Sequence, residues 1–264
     1  MAKRLSRFRR GWDTQVRVIH ALMIRELTTR FGRENIGFLW IMAEPLLFAG
    51  LIALLWSFMK GPEEHGISVA AFAVSGYIPI VLFRHAVTRS VSIFIANSSL
   101  LYHQQVKIVD FVFVRFLIEL IGGMMAYLFI ATILIGFDLF PVPADIGMLL
   151  AGWGIYALFT LSLCIVIAPL SEMSEVLEKF MPVVTYIMLP FSGLFTMNAW
   201  MPPNVRAYMM YSPFINGMEM MRKGIWGNQV TAYYDLWNPL SCSLVLIIIG
   251  LALCRRVRRK LAVE

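Results

Sequence analysis

Charge is scarce in this chain. Of 264 residues only 15% are charged, 23 Lys and Arg against 16 Asp and Glu, while 59% are hydrophobic. The mean hydropathy of +0.73 is too high for a soluble domain of this length. Cysteine is rarer still. Cys164, Cys242 and Cys254 lie scattered through apolar runs without metal-ligand spacing, which marks them as small buried hydrophobes. The motifs of catalysis are missing. There is no G-x-x-x-x-G-K-[ST] phosphate loop, no H-E-x-x-H, no G-x-S-x-G and no paired-cysteine motif, and the four histidines (His20, His65, His85, His103) stand far apart in sequence. These absences exclude metal, nucleotide and acyl-transfer chemistry of the familiar kinds. The chain reads as a non-enzyme that binds no cofactor or metal of its own. Any uphill transport would draw its energy from another subunit. No cleavable leader is expected, because the basic N-terminus leads into an amphipathic stretch and not a short apolar core.

The charge that is present is placed unevenly. Fourteen of the 23 basic residues lie in 3–33 and 255–260, flanking long apolar runs. The net charge of +7 therefore reflects the positive-inside rule and not nucleic-acid binding. A helix crosses a bilayer with about 20 apolar residues. Six spans follow, at roughly 36–59, 70–96, 109–137, 145–170, 180–196 and 238–254. The chain divides into a tail with an interface helix (1–35), a transmembrane domain (36–254) and a basic tail (255–264). An even number of spans puts both termini on the basic, cytoplasmic side. The loops at 60–69 and 138–144, with Lys60 as their one basic residue, face the periplasm. The stretch 197–237, broken by Pro202, Pro203 and Pro213 yet rich in Met and aromatics, reads as re-entrant or interfacial half-helices.

Trp12, Val16, Ile19, Met23, Leu27 and Phe31 recur every three or four residues, with Arg17, Arg25 and Arg30 off that stripe. This predicts a basic amphipathic helix lying on the cytoplasmic leaflet, as a plain anchor or also as a docking surface. Ionisable residues inside the spans are the strongest functional pointers, since each is costly unless paired or hydrated. At about 1.5 Å per residue from the cytoplasmic end, Glu44 and Glu119 lie roughly 15 Å deep, Arg84 roughly 18 Å, and Arg89 and Arg115 about 10 Å. The expectation is an acid–base–acid layer of Glu44, Arg84 and Glu119 above a basic layer. That layer either locks helices together or lines a hydrated path. Pro45, beside Glu44, should kink the first span. Trp40, Trp56, Tyr77, Phe83 and Phe94 offer sugar-stacking faces in the first two spans, or ordinary interface anchors. Two cytoplasmic connections are expected, at 97–110 and 171–179.

Three stretches carry a family likeness: FGRENIGFLWIMAEPLLF (31–48), LPFSGLFTMNAWMPP (189–203) and YSPFINGMEMMRKGIWG (211–227). With six spans and cytoplasmic ends, the chain resembles the ABC-2 permeases of ABC transporters, and within them the inner-membrane permeases of capsular polysaccharide export. The resemblance implies an all-α polytopic membrane fold and a homodimer bound to separate cytoplasmic ATPase subunits, which hold ATP and Mg. It implies a periplasmic adaptor and an outer-membrane polysaccharide channel, and an acidic, lipid-linked polysaccharide cargo. Position by position, it implies ATPase contact by the helix around 12–31, with Arg17 and Arg25, and by a coupling segment with Asn97, Tyr102, Gln104 and Lys107. It implies a capping re-entrant motif at Pro213, Glu219 and Arg222. The candidate translocation path then comprises Glu44, Arg84, Arg89, Arg115, Glu119, Trp40, Tyr77 and Phe83. O-antigen or teichoic-acid glycans, or a small hydrophobic cargo such as a drug or lipid, are the alternative substrates. A membrane scaffold or a glycan-processing enzyme without transport is the alternative class.

Overall fold

A computed structural model describes residues 2–31, 36–97 and 106–261, with side chains described for 9–29, 43–97 and 106–259. Helix α1 (Ala2–Phe31) is followed by α2 (Ile36–Lys60). A two-stranded antiparallel hairpin comes next, β1 (Glu63–Glu64) and β2 (Ile67–Ser68). The long helices α3 (Val69–Ser90), α4 (Ile108–Gly136) and α5 (Ile146–Met173) follow. Then come α6 (Glu175–Ile187), two 3-10 turns, α7 (Pro203–Met209), α8 (Pro213–Trp226) and α9 (Trp237–Leu261). The basic residues of α1 and of the end of α9 define one end of the bundle, here the basic end. The hairpin defines the other.

Among the described residues five helices are long and apolar enough to cross a membrane: 43–60 within α2, then α3, α4, α5 and 237–259 within α9. The segment expected as a further span, 180–196, is helical only to Ile187. Pro190 then opens a 3-10 turn, Pro190–Ser192, which the left-handed Gly193 (φ 81°) ends. The connection expected at 171–179 shrinks to Ser174, which ends α5 and caps α6 through its hydroxyl on the Leu177 N–H. Pro45 sits inside α2 without ending it.

Helix α3 is the hub, with 83% of its span buried against 17% for α2 and 22% for α9. Both outer helices therefore present lipid-type faces. Helix α8 is buried almost all round and lies antiparallel on α5. Phe214 packs at the level of Tyr156 and Phe159, while the carbonyls of Gly224 and Ile225 accept from the N–H groups of Asp145 and Ala144. Glycines make this close crossing possible. A Cβ on Gly152 would lie 2.5 Å from the Met221 nitrogen, and one on Gly224 would lie 2.4 Å from the Leu149 nitrogen. Small residues at such crossings let backbones approach, which is how helices associate where lipid removes the hydrophobic drive.

Candidate functional site

Four helices bring charge together between the middle of the bundle and its basic end. Glu119 of α4, 3% exposed, pairs with Arg89 of α3. His85, one turn up α3 from Arg89, lies with Nδ1 3.6 Å from Glu119 and Nε2 3.5 Å from Glu44 of α2. Arg115 of α4 donates to the Arg89 carbonyl at 2.7 Å and to Glu26 of α1 at 2.8 Å. Residues four apart share a helix face, which is why His85 and Arg89 reach the same acid. A small cavity lined by Pro45, Ile78, Val81, Leu82, His85, Glu119 and Gly123 adjoins the cluster.

Arg84 is not the base of this layer. It is one residue from His85, about 100° round the helix, and its guanidinium lies 3.9 Å above the Tyr186 ring of α6. His85 takes the place between the two acids that Arg84 was expected to fill. The Arg84 Nε has no hydrogen-bond partner among the described residues. Tyr77, seven residues earlier, lies on the same face of α3 as Arg84. Tyr186 is 56% exposed, so this second face of α3 opens outward. Phe83 is a core residue, 3% exposed and edge-on to Phe214 at 4.6 Å; its expected place on a path is corrected by that packing. The Trp40 side chain, Tyr102 and Gln104 lie outside the described residues.

Helix α1 docks by a face rotated from the expected stripe. Leu22 is buried, and Val18, Ile19, Met23 and Leu27 pack on the core, but Trp12 (63%) and Val16 (48%) are exposed. Polar bonds set the rotation. Gln15 donates to Asp110 at 2.6 Å and Arg25 donates to Asn97 at 2.9 Å. Arg17 donates to Asp13 O of its own helix and, among the described residues, to no other element, and Lys107 is exposed at the start of α4.

At the other end α8 acts as a staple. Pro213 opens it at a first-turn position that needs no N–H. Asn216, Glu219 and Arg222 then bind the segments on either side. Glu219 accepts from the N–H groups of Asn198 (3.0 Å) and Tyr233 (3.2 Å). Arg222, fully buried, donates to the carbonyls of Gly193 (2.7 Å), Thr196 (3.2 Å) and Leu194 (3.3 Å) and lies 3.9 Å over the Phe72 ring. Asn216 donates to Met210 O and accepts from the Asp235 N–H. Among the described residues no group of His, Cys, Asp and Glu has the arrangement of a metal site.

The model of the ABC-2 type transporter family matches residues 17–226, which takes in the second half of α1, the charge cluster and the staple. The chain belongs to the ABC-2 type transporter family. This ABC-2 chain is similar over nearly its whole length to the capsule polysaccharide export inner-membrane protein CtrC of Neisseria meningitidis serogroup B, at 37% identity covering 92% of each chain. It is similar to BexB of Haemophilus influenzae, of the same description, at 32% identity covering 94% of each. The O-antigen export system permease protein RfbA of Klebsiella pneumoniae is more distant, at 23% identity over 90% of this chain. Within this ABC-2 chain, His85, Glu26, Tyr186 and Asn216 are the residues that sequence reasoning passed over. The four-residue step from His85 to Arg89 was the available signal for the first. The others pair across distances no local pattern encodes.

Proposed function

We propose that this chain is the membrane subunit of an ATP-driven exporter that moves capsular polysaccharide across the inner membrane. The observation that carries the reading is end-to-end similarity to capsule export permeases at 32–37% identity. Two copies form the pathway, each bound to a cytoplasmic ATPase subunit that holds ATP and Mg. The basic end is cytoplasmic, consistent with the fourteen clustered Lys and Arg, and the hairpin end is periplasmic. An adaptor and an outer-membrane channel complete the route. The segment after α5 counts as the fifth of six crossings, with α6 entering from the cytoplasmic side and α8 re-entrant from the outside. The antiparallel run of α8 from the level of Phe159 to that of Asp145 supports this.

The two faces of α3 then have separate roles. Glu44, His85, Glu119, Arg89, Arg115 and Glu26 tie α1, α2, α3 and α4 together, because a charge at this depth is tolerated when paired. Arg84, Tyr77 and Tyr186 face the path. A guanidinium binds an anionic group of the cargo through its planar fork, and the aromatic faces accept sugar rings. Arg17 and Lys107, both exposed, lie toward the ATPase, whereas Asn97 is buried and holds Arg25 within the chain, which corrects its expected place in the contact. The test is depletion of this chain in a capsulated cell. Glycan that accumulates inside and disappears from the surface is the expected result. Unchanged surface glycan, in a cell without a second exporter, refutes the assignment.

A further inference from the structure

A cluster of rings at the hairpin end is not used by the path just described. The His65 ring stacks on Trp200 at 4.7 Å and 24°. Trp200 lies 4.9 Å from Phe72, Phe72 lies 6.5 Å from Trp56, and Trp56 lies 5.8 Å from Phe195. Phe72 is the buried floor. His65 is exposed, Phe195 is 45% exposed, and Trp56 and Trp200 are half-buried. A charged pair borders the rings. Lys60 lies 5.3 Å over Trp56 and bonds to Glu64 at 2.8 Å.

The chain holds these rings by unusual means. His65 sits at φ 54° and Gly66 at φ 73°, as the two-residue turn between β1 and β2 requires. Gly66 takes the left-handed position without a side-chain penalty, and the turn holds the His65 ring at the tip of the hairpin. The segment that carries Phe195 and Trp200 is pinned from behind. Arg222 takes the carbonyls of Gly193, Leu194 and Thr196, Glu219 takes the Asn198 N–H, and the Arg222 guanidinium backs Phe72. Both ring-bearing segments are thus fixed to α8 or to the hairpin.

We propose that this cluster is a saccharide-binding platform at the outer mouth of the pathway, with Glu219 and Arg222 as its positioning residues. The proposal rests on the polysaccharide-export reading. Sugar rings pack on the open faces of His65 and Phe195 and against the edges of Trp56 and Trp200. Their hydroxyls bond to Lys60 and Glu64. Aromatic faces bordered by hydrogen-bonding charged groups suit a polyhydroxylated ring better than an acyl chain, which would have to desolvate the Lys60–Glu64 pair. The platform is open and not a closed pocket, so each contact is weak and a long polymer slides across it.

The test places a photo-crosslinking residue at Glu63 or at Met201, beside the rings, in the full exporter of a capsulated cell, with a control at Phe137. Phe137 is exposed at the same end but follows α4. The expected result is glycan adducts at 63 and 201 and none at 137. Adducts should fall at least several-fold in Trp200→Ala and persist in Trp200→Phe, at equal membrane levels. Normal surface glycan without adducts at 63 and 201 overturns the platform and leaves the export reading intact. Adducts with a protein or a lipid in place of glycan also overturn it. Surface glycan that does not depend on this chain at all refutes both.

Discussion

Arg222 makes its case by what it binds. A fully buried guanidinium that faces three backbone carbonyls and one ring holds a bend in place, and it touches no solvent. Arg222→Lys keeps the charge but loses the planar fork that reaches Gly193, Leu194 and Thr196 together, so not all three carbonyls keep their partner. The expected outcome is a loss of about 2–4 kcal/mol, of the size found when a buried polar network is broken, read as a lower melting temperature in detergent. At the charge cluster, Glu119→Ala strands Arg89 and His85. A loss of about 1–3 kcal/mol is expected, because Arg89 and His85 lose their buried partner but keep some access to water. Glu44→Ala should cost less, because that side chain is 36% exposed. Equal melting temperatures for the two variants would contradict the pairing. Depth along each helix was legible in the sequence, and it put Glu44, Glu119 and Arg89 in one neighbourhood. Direction round the helix was not weighed, so Arg84 was assigned a place that His85 holds.

Helices α5 and α8 touch through glycines, and the contact sets where α8 can lie. Gly224→Ala drives a methyl group to within 2.4 Å of the Leu149 nitrogen, which only separation of the helices relieves. Such overpacking costs about 1–3 kcal/mol. Gly154→Ala meets nothing within 4 Å and serves as the control. Purified Gly224→Ala should melt well below Gly154→Ala, and equal stability would count against the close crossing. The long elements α2, α3, α4, α5 and α9 were legible, because runs of more than 20 apolar residues have few alternatives. Their ends shifted where caps decide. Asp145 accepts from the Met148 N–H and starts α5, and Ser174 cuts a loop down to one residue. The run at 180–196 reads as a span by hydropathy; its helix ends at Ile187, ahead of Pro190, and the rest of the run continues in a 3-10 turn. Half of the α1 stripe was legible as a packing face: Ile19, Met23 and Leu27 lie on the core, while Trp12 and Val16 stay exposed, and the bonds Gln15–Asp110 and Arg25–Asn97 belong to no single-helix pattern.

The molecule as a whole has one basic end and one hairpin end, and transport requires that they lie on opposite sides of the membrane. Single cysteines in a background freed of Cys164, Cys242 and Cys254 test this. A cysteine in place of Glu63 should react with a membrane-impermeant thiol reagent added to cells with a permeabilised outer membrane, and one in place of Lys107 should react only after lysis. Reaction of both from outside would contradict the orientation. ABC-2 membership was legible in three short stretches, while the ring cluster was not. His65, Trp200 and Trp56 lie up to 144 residues apart by their numbers and meet only in the fold. The measurement that bears most directly on the account is movement of the polymer itself. Inverted inner-membrane vesicles that contain this chain and its ATPase are given lipid-linked capsular polysaccharide, and then a glycan-degrading enzyme outside. The account predicts that ATP renders the polymer resistant, because it has entered the vesicle, and that vesicles with Arg84→Ala protect far less. Polymer that stays fully digestible while ATP is hydrolysed would contradict the account.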